Sequence, residues 1–148
     1  AIVHSIELDV EAVKSCQAMV GPHVALHQGD SVAVLPHLAK RLTAEERTIA
    51  LLYLDSFDLD MKNPIPSAVH HLKELVSIAS VISPTTLVVV DDCVLTCQIV
   101  FDKDDSFKIC GDPTIGGKGM YVAEYAQQVQ AQLQFSHYQA GWTNMVQS

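Results

Sequence analysis

The sequence predicts an α/β domain with a mostly parallel sheet and an antiparallel hairpin at its C-terminal end. Four apolar runs are each followed by or end in carboxylates, at residues 2–8, 23–28, 49–54 and 86–90. Segments with apolar residues at helical spacing separate these runs. Alternation of strands and helices is typical of a parallel sheet, and in such a sheet ligands bind beyond the carboxyl ends of the strands.

The first half of the chain predicts three strands and two helices. Residues 2–8, 23–28 and 49–54 predict strands, with helices at 10–20 and 31–42 between them. Gly21-Pro22 stops the first helix, Ser31 can cap the second, and Pro36 falls in its first turns. Because 49–54 is almost wholly apolar, we expect this strand at the sheet centre, covered on both faces.

The second half predicts a helix over 67–82, ended by Ser83-Pro84, and a central strand over 87–90. Residues 93–118 are rich in Asp and Gly and predict a long functional loop or lid. A helix over 120–129 and strands over 132–138 and 142–147 follow, with Tyr138 and Trp142 as packing residues of the hairpin. The paired His70-His71 predicts a surface helix.

Composition limits the classes of partner. The 148 residues are 49% hydrophobic and 18% charged, which suits one globular domain. A net charge of -8 disfavours nucleic acid and anionic membranes, so a small molecule or a cation fits better. The spacing of Cys16, Cys93, Cys97 and Cys110 matches no zinc motif and predicts reduced thiols. Without a membrane-spanning run or signal segment, we expect a cytoplasmic protein.

The segments HSIELDVEAV, ALHQGDSVAVLPHL, LLYLDSFDLD and LVVVDD look, in this order, like the second to fifth strands of class I S-adenosylmethionine-dependent methyltransferases. FSHYQAGW resembles the last two strands of that family. The resemblance implies a Rossmann-like sheet that is N-terminally truncated, without the first strand and its glycine-rich loop. It also implies S-adenosylmethionine as cofactor and methyl transfer to a hydroxyl of a small molecule.

The resemblance also implies cofactor-binding residues. Glu7 matches the acid that binds both ribose hydroxyls, a task that suits a carboxylate because it accepts two hydrogen bonds. Gly29, Asp30 and Ser31 match the turn that contacts adenine. As alternatives, Glu7 is a solvated carboxylate and Asp30-Ser31 starts a helix, where the dipole favours an acid. Asp9 is expected to cap the helix that follows it.

Asp55, Asp91 and Asp92 resemble the Mg²⁺ ligands of catechol-type O-methyltransferases. Three carboxylates at neighbouring strand ends would repel one another unless a cation bridged them. The alternative is that Asp55 alone faces the cofactor and Asp91-Asp92 caps a loop. In the resemblance, Asp58 stands where that family has its lysine base.

We therefore take Asp55 and Lys118 as the candidate catalytic residues, with Lys62, His70 and His71 as further candidates for the base. Gly116-Gly117-Lys118-Gly119 lacks the spacing of a phosphate loop and predicts a hinge or a helix N-terminus.

Two other functions stay open. A methyltransferase-like chain without its first strand would have exposed strand edges in the middle of its sheet, so it could serve as a binding or dimerisation module and form a homodimer. A haloacid-dehalogenase-like phosphatase is a weaker alternative. That family has a DxD motif followed by Thr or Val, whereas here Asp55 is followed by Ser56-Phe57-Asp58, and Asp58-Leu59-Asp60 is followed by Met61.

Overall fold

The protein is described by a computed structural model that covers residues 1–101 and 107–146, with residues 95–101 and 107–113 described by their backbone alone. It is an α/β structure, as predicted. The helices are α1 (Val10–Gln17), α2 (Ser31–Ala44), α3 (Ile65–Ile78) and α4 (Met120–Gln128). The strands are β1 (Val3–Glu7), β2 (Val24–Gln28), β3 (Ile49–Leu54), β4 (Ile82–Val90), β5 (Leu95–Phe101), β6 (Phe107–Ile115), β7 (Gln132–Ser136) and β8 (Ala140–Thr143). Short 3-10 turns occupy Ala79–Val81 and Gly117–Gly119.

Aspartates fix the starts of the first two helices. The Asp9 carboxylate accepts hydrogen bonds from the amides of Glu11 and Ala12 at 2.7 and 2.9 Å, which confirms it as the cap of α1. Asp30, and not Ser31, caps α2, because its carboxylate accepts from the amide of Val32 at 2.8 Å. Both caps satisfy amides that have no partner inside the helix.

The strands form three hydrogen-bonded sets. β1 and β2 make a parallel pair, and a second, mixed sheet has the order β3-β4-β8-β7. In that sheet β3 and β4 are parallel, whereas β8 is antiparallel to both of its neighbours. The predicted antiparallel strand near the sheet edge is thus confirmed.

Among the described residues, β1 pairs with β2 and β3 pairs with β4, so each of β1 and β3 has one unpaired edge. The expectation that β3 is central and covered on both faces is therefore wrong. Leu52 and Leu54 are buried, but Leu51 and Tyr53, on the other face, are 57% and 48% exposed. The apolar run indicated a strand correctly, whereas burial depends on neighbours that the run itself does not specify.

The prediction of a long loop over 93–118 is also wrong for most of its length. β5 and β6 pair there as an antiparallel hairpin, in a register that runs from Leu95 opposite Ile115 to Phe101 opposite Phe107. Backbone hydrogen bonds along such a ladder do not depend on side-chain polarity, which is why composition was a poor guide. Asp102, Asp104 and Asp105, which belong to the predicted loop, lie outside the described residues.

The core lies between the three helices α2, α3 and α4 and one face of the mixed sheet. Its most buried members include Leu75, Ile78, Val88, Val90 and Val122. Trp142 of β8 packs into the same cluster, which confirms it as a packing residue. Across the described parts of the chain, no helix combines the length and the apolar character needed to cross a membrane.

We expect Leu75→Ala to lower the free energy of unfolding by about 2–5 kcal/mol, because Leu75 is almost fully buried and the change leaves a cavity. Val76, the next residue of α3, is exposed, so Val76→Ala is the matched control and should change stability by only about 0.5 kcal/mol. Urea denaturation of both variants measures the difference, and equal losses would contradict the described packing of α3.

Candidate functional site

Lys118 joins the ends of the parallel strands β3 and β4 through a pair of ionic hydrogen bonds. Its ammonium lies 2.7 Å from Oδ1 of Asp55, directly after β3, and 2.9 Å from Oδ2 of Asp92, just beyond β4. The Lys118 side chain is only 3% exposed, whereas that of Asp55 is 42% exposed. Burial alone would lower the pKa of Lys118, but the two carboxylates outweigh it and raise that pKa. The predicted catalytic residues Asp55 and Lys118 are thus in contact.

Glycines allow the chain to bring Lys118 so close to the end of β4. Gly117 has a φ of 59°, a left-handed conformation that favours glycine, and a Cβ there would collide with the carbonyl oxygen of Asp92. The amide of Lys118 donates to this same carbonyl at 3.2 Å. The GGKG segment leads directly into α4, so its prediction as a helix N-terminus is confirmed.

Two tyrosines hold the Asp91-Asp92 pair from the other side. Tyr53 donates its hydroxyl to Asp91 Oδ2 at 2.6 Å and accepts from Gln139 at 2.9 Å, and Tyr138 donates to Asp92. The hydrogen bond to Asp91 is the main reason that the pKa of Tyr53 rises to about 12. The prediction that Tyr138 is a packing residue is wrong, since it is 65% exposed and its hydroxyl binds a carboxylate.

The pKa values of Asp91 and Asp92 are both lowered. For Asp92, the hydrogen bond from Tyr138 is the largest cause, followed by the one from Lys118. For Asp91, partial burial acts in the opposite direction, and the hydrogen bonds from Tyr53, the amide of Asp92 and Gln139 outweigh it. Both side chains are therefore carboxylates at neutral pH, each committed to partners within the protein.

The three carboxylates predicted to bind Mg²⁺ do not converge on one point suited to a metal ion. Asp55 and Asp92 face the Lys118 ammonium, whereas Asp91 faces Tyr53. Among the residues that the structure describes, no group of three or more His, Cys, Asp and Glu side chains is arranged to hold a metal. The donor set of this site therefore does not fit the implied divalent cation.

A cavity of about 600 Å³ opens at the carboxyl ends of β1 and β3, and we call it the acidic crevice. Glu7, Leu8, Asp9, Val10, Glu11 and Ser56 line it. Glu7, the last residue of β1, accepts a hydrogen bond from the amide of Asp9 at 2.9 Å, which orients its carboxylate. The crevice thus lies beside the unpaired edges of β1 and β3, and three of its six lining residues are acidic.

The turn predicted to contact adenine lies next to the crevice, because the buried Ser31 contacts Ser56 of its lining. The hydroxyl of Ser31 lies 3.5 Å from that of Ser56 and 3.0 Å from Nε2 of His70. Gly29 donates its amide to the carbonyl of Glu7 at 2.9 Å, whereas the side chain of Asp30 is committed to the cap of α2. The structure therefore brings Glu7, Gly29 and Ser31 to one edge, close to Ser56.

A buried polar row on α3, formed by Ser67, His71 and Glu74, contacts Ser56 through Glu74. This row was not predicted from the sequence. Ser56 donates to Oε1 of Glu74 at 2.6 Å, and Glu74 is almost fully buried. His71 is also fully buried, so its prediction as a surface residue is wrong, and burial lowers its pKa. The i, i+4, i+7 spacing of Ser67, His71 and Glu74 is the signal that could have revealed this face.

The other residues considered for the base differ in their surroundings. Lys62 is exposed in the turn before α3. His70 is half-buried and contacts Ser31 and the ring of Phe57.

Of the free cysteines in the described side chains, Cys93 is buried beneath Gly119, and burial raises the pKa of its thiol to about 11. Cys16 lies on α1, away from these residues.

Comparison of the chain with protein-family models, curated proteins and solved structures finds no match. Its function must therefore be argued from the acidic crevice and from the contacts among Asp55, Asp92 and Lys118.

We expect Gly117→Ala to lower the free energy of unfolding by about 1–3 kcal/mol, because the left-handed φ is strained for alanine and its Cβ meets backbone. Gly21→Ala is the control, since a Cβ there meets only the side chain of His23, which can move. Thermal or urea denaturation measures both. A Gly117→Ala protein as stable as the wild type would contradict the close approach of Lys118 to β4.

Proposed function

We propose that the acidic crevice binds S-adenosylmethionine and that the protein transfers the cofactor's methyl group to a hydroxyl of a small molecule. The observation that carries this proposal is the acidic lining at the carboxyl ends of β1 and β3, each of which belongs to a parallel strand pair, because α/β sheets bind their ligands at such ends. The resemblance of the strand-end segments to class I methyltransferases supports the choice of cofactor.

The polar lining of the crevice favours a ligand rich in hydrogen-bond donors. Carboxylates only accept hydrogen bonds, and Ser56 already donates its hydroxyl hydrogen to Glu74, so it too offers an acceptor to a ligand. Ribose hydroxyls, an adenine amine and a sulfonium cation complement such a surface. The phosphates of ATP or NAD would meet repulsion from Glu7, Asp9 and Glu11.

Under this proposal Glu7 holds the ribose diol, and Gly29 and Ser31 lie at the adenine end. Asp55 lies at the reacting end, where Lys118 fixes one of its carboxylate oxygens and leaves the side chain partly exposed. The cofactor supplies an electrophilic methyl group. The protein's task is then to orient the acceptor hydroxyl, and Asp55 is the exposed carboxylate that can accept its proton.

We expect Glu7→Gln to weaken the binding of S-adenosylmethionine by roughly 10-fold or more, because hydrogen bonds to a charged acceptor contribute about 1.5–3 kcal/mol. Isothermal titration calorimetry measures this, with Glu124→Gln on the exposed face of α4 as the matched control. ATP and NAD serve as competing nucleotides and should bind more weakly. Equal affinity of the Glu7→Gln and wild-type proteins, or preferred binding of ATP, would contradict the proposal.

The unpaired edges of β1 and β3 favour a second candidate function, a non-catalytic module that binds another chain or forms a homodimer. Unpaired strand edges pair readily with other strands. Exposed apolar side chains accompany both edges here, including Val3 on β1 and Leu51 on β3.

The dimer version of this alternative has a direct test in sedimentation. It predicts a dimer in analytical ultracentrifugation at micromolar concentration, and Leu51→Lys should shift the protein toward monomer because it places a charge on the exposed face of β3. Lys73→Glu on the exposed face of α3 is a control for nonspecific charge effects. A stable folded monomer at all concentrations would remove the dimer from consideration.

A further inference from the structure

We infer that the Lys118 ammonium is the resident cation of this site, so that the wild-type protein does not take up Mg²⁺ between Asp55 and Asp92. The inference rests on the contacts of Lys118 and on the hydrogen bond that holds Asp91 to Tyr53, and it stands whether or not the acidic crevice binds S-adenosylmethionine.

The ammonium occupies the place where a bridging ion would lie. It is within hydrogen-bond distance of Asp55 and of Asp92, and these carboxylates come from the ends of adjacent parallel strands. A lysine ammonium is a compact point charge with three donors, so it can neutralise two carboxylates at once. The repulsion expected among strand-end carboxylates is thereby relieved without a metal.

A divalent ion could not join this arrangement without displacing the lysine. Mg²⁺ requires oxygen ligands at about 2.0–2.1 Å in nearly octahedral geometry. An ion at that distance from either carboxylate would lie beside the ammonium, which is anchored by the glycine-framed turn and almost completely buried. The third predicted ligand, Asp91, is held by Tyr53, so it does not complete a metal site.

Removal of the ammonium should therefore create the metal site that the wild type lacks. Lys118→Ala leaves Asp55 and Asp92 facing each other without a cation, together with space for a hydrated ion. We expect this variant to bind Mg²⁺ at least about tenfold more tightly than any weak, nonspecific binding by the wild type, and to be stabilised by it. A merely structural lysine would show the loss of stability without the gain of metal affinity.

The experiment is a titration of MgCl₂ into wild type and variants, followed by calorimetry and by thermal unfolding at fixed ionic strength. Lys118→Ala should gain both Mg²⁺ binding and a Mg²⁺-dependent rise in melting temperature, whereas Lys118→Arg, which keeps the charge, should gain neither. Lys73→Ala is the matched control, because it removes an exposed lysine of α3 that lies in neither site. A folded Lys118→Ala protein with no gain in Mg²⁺ affinity would overturn the inference.

The wild-type titration keeps the inference falsifiable if Lys118→Ala does not fold. Wild-type protein that binds Mg²⁺ and loses this binding in Asp92→Asn would overturn it. No Mg²⁺ binding by the wild type, together with Mg²⁺-dependent refolding of Lys118→Ala or of the uncharged, similarly long Lys118→Met, would support it.

Discussion

The buried ammonium of Lys118 is the interaction on which the carboxyl-end rim of the mixed sheet depends. The ammonium bridges the carboxylates of Asp55 and Asp92. It thereby links the start of α4 to the ends of β3 and β4, although Lys118 lies far from both aspartates in the sequence. Two unit charges 4 Å apart interact by about 4 kcal/mol at an effective dielectric constant near 20. Loss of Lys118 would leave Asp55 open to water, since it is 42% exposed, whereas loss of either carboxylate would leave the buried ammonium with one charged partner fewer. The glycines around Lys118 and the tyrosines around Asp91 and Asp92 are consistent with this arrangement, since each brings or holds a charged group at the rim.

The opening between β1 and β3 provides the space for a ligand beside this rim. Because these two strands do not pair, the end of β1 carries Glu7 into the acidic crevice and the residues after β3 carry Ser56 into it. The buried Glu74 accepts the hydroxyl hydrogen of Ser56. The buried polar row on α3 therefore leaves Ser56 as a hydrogen-bond acceptor toward the crevice. The same opening exposes apolar side chains of β3. One feature of the strand order therefore supports both the proposed cofactor site and the alternative of an interaction module.

Local features of the sequence predicted the fold well where periodicity and capping decide the structure. The bounds of β3, the N-terminal cap of α1 and the start of α4 follow from apolar runs, from Asp9 and from the GGKG segment. The exposure of Tyr53, the burial of His71 and the β5–β6 hairpin could not be predicted in this way, because each depends on which elements pack or pair with it. Asp55 and Lys118, the two residues predicted to be catalytic, are in contact in the structure, but their contact and the position of the lysine where a metal was expected were not predicted. Charge pattern alone indicates that a cation is needed among the carboxylates, and only the three-dimensional path of the chain shows which one.

The most direct test of the central claim is the NMR titration of the Lys118 side chain, with ¹⁵N detection of its ammonium. The structure predicts ammonium protons that exchange slowly and a titration midpoint above the ordinary lysine value of 10.5, because the charges and hydrogen bonds of Asp55 and Asp92 favour the protonated form. Asp55→Asn and Asp92→Asn should each move that midpoint down. Rapidly exchanging protons and a midpoint at or below 10.5 would show that the ammonium is not held between the two carboxylates, and would contradict the account of the site.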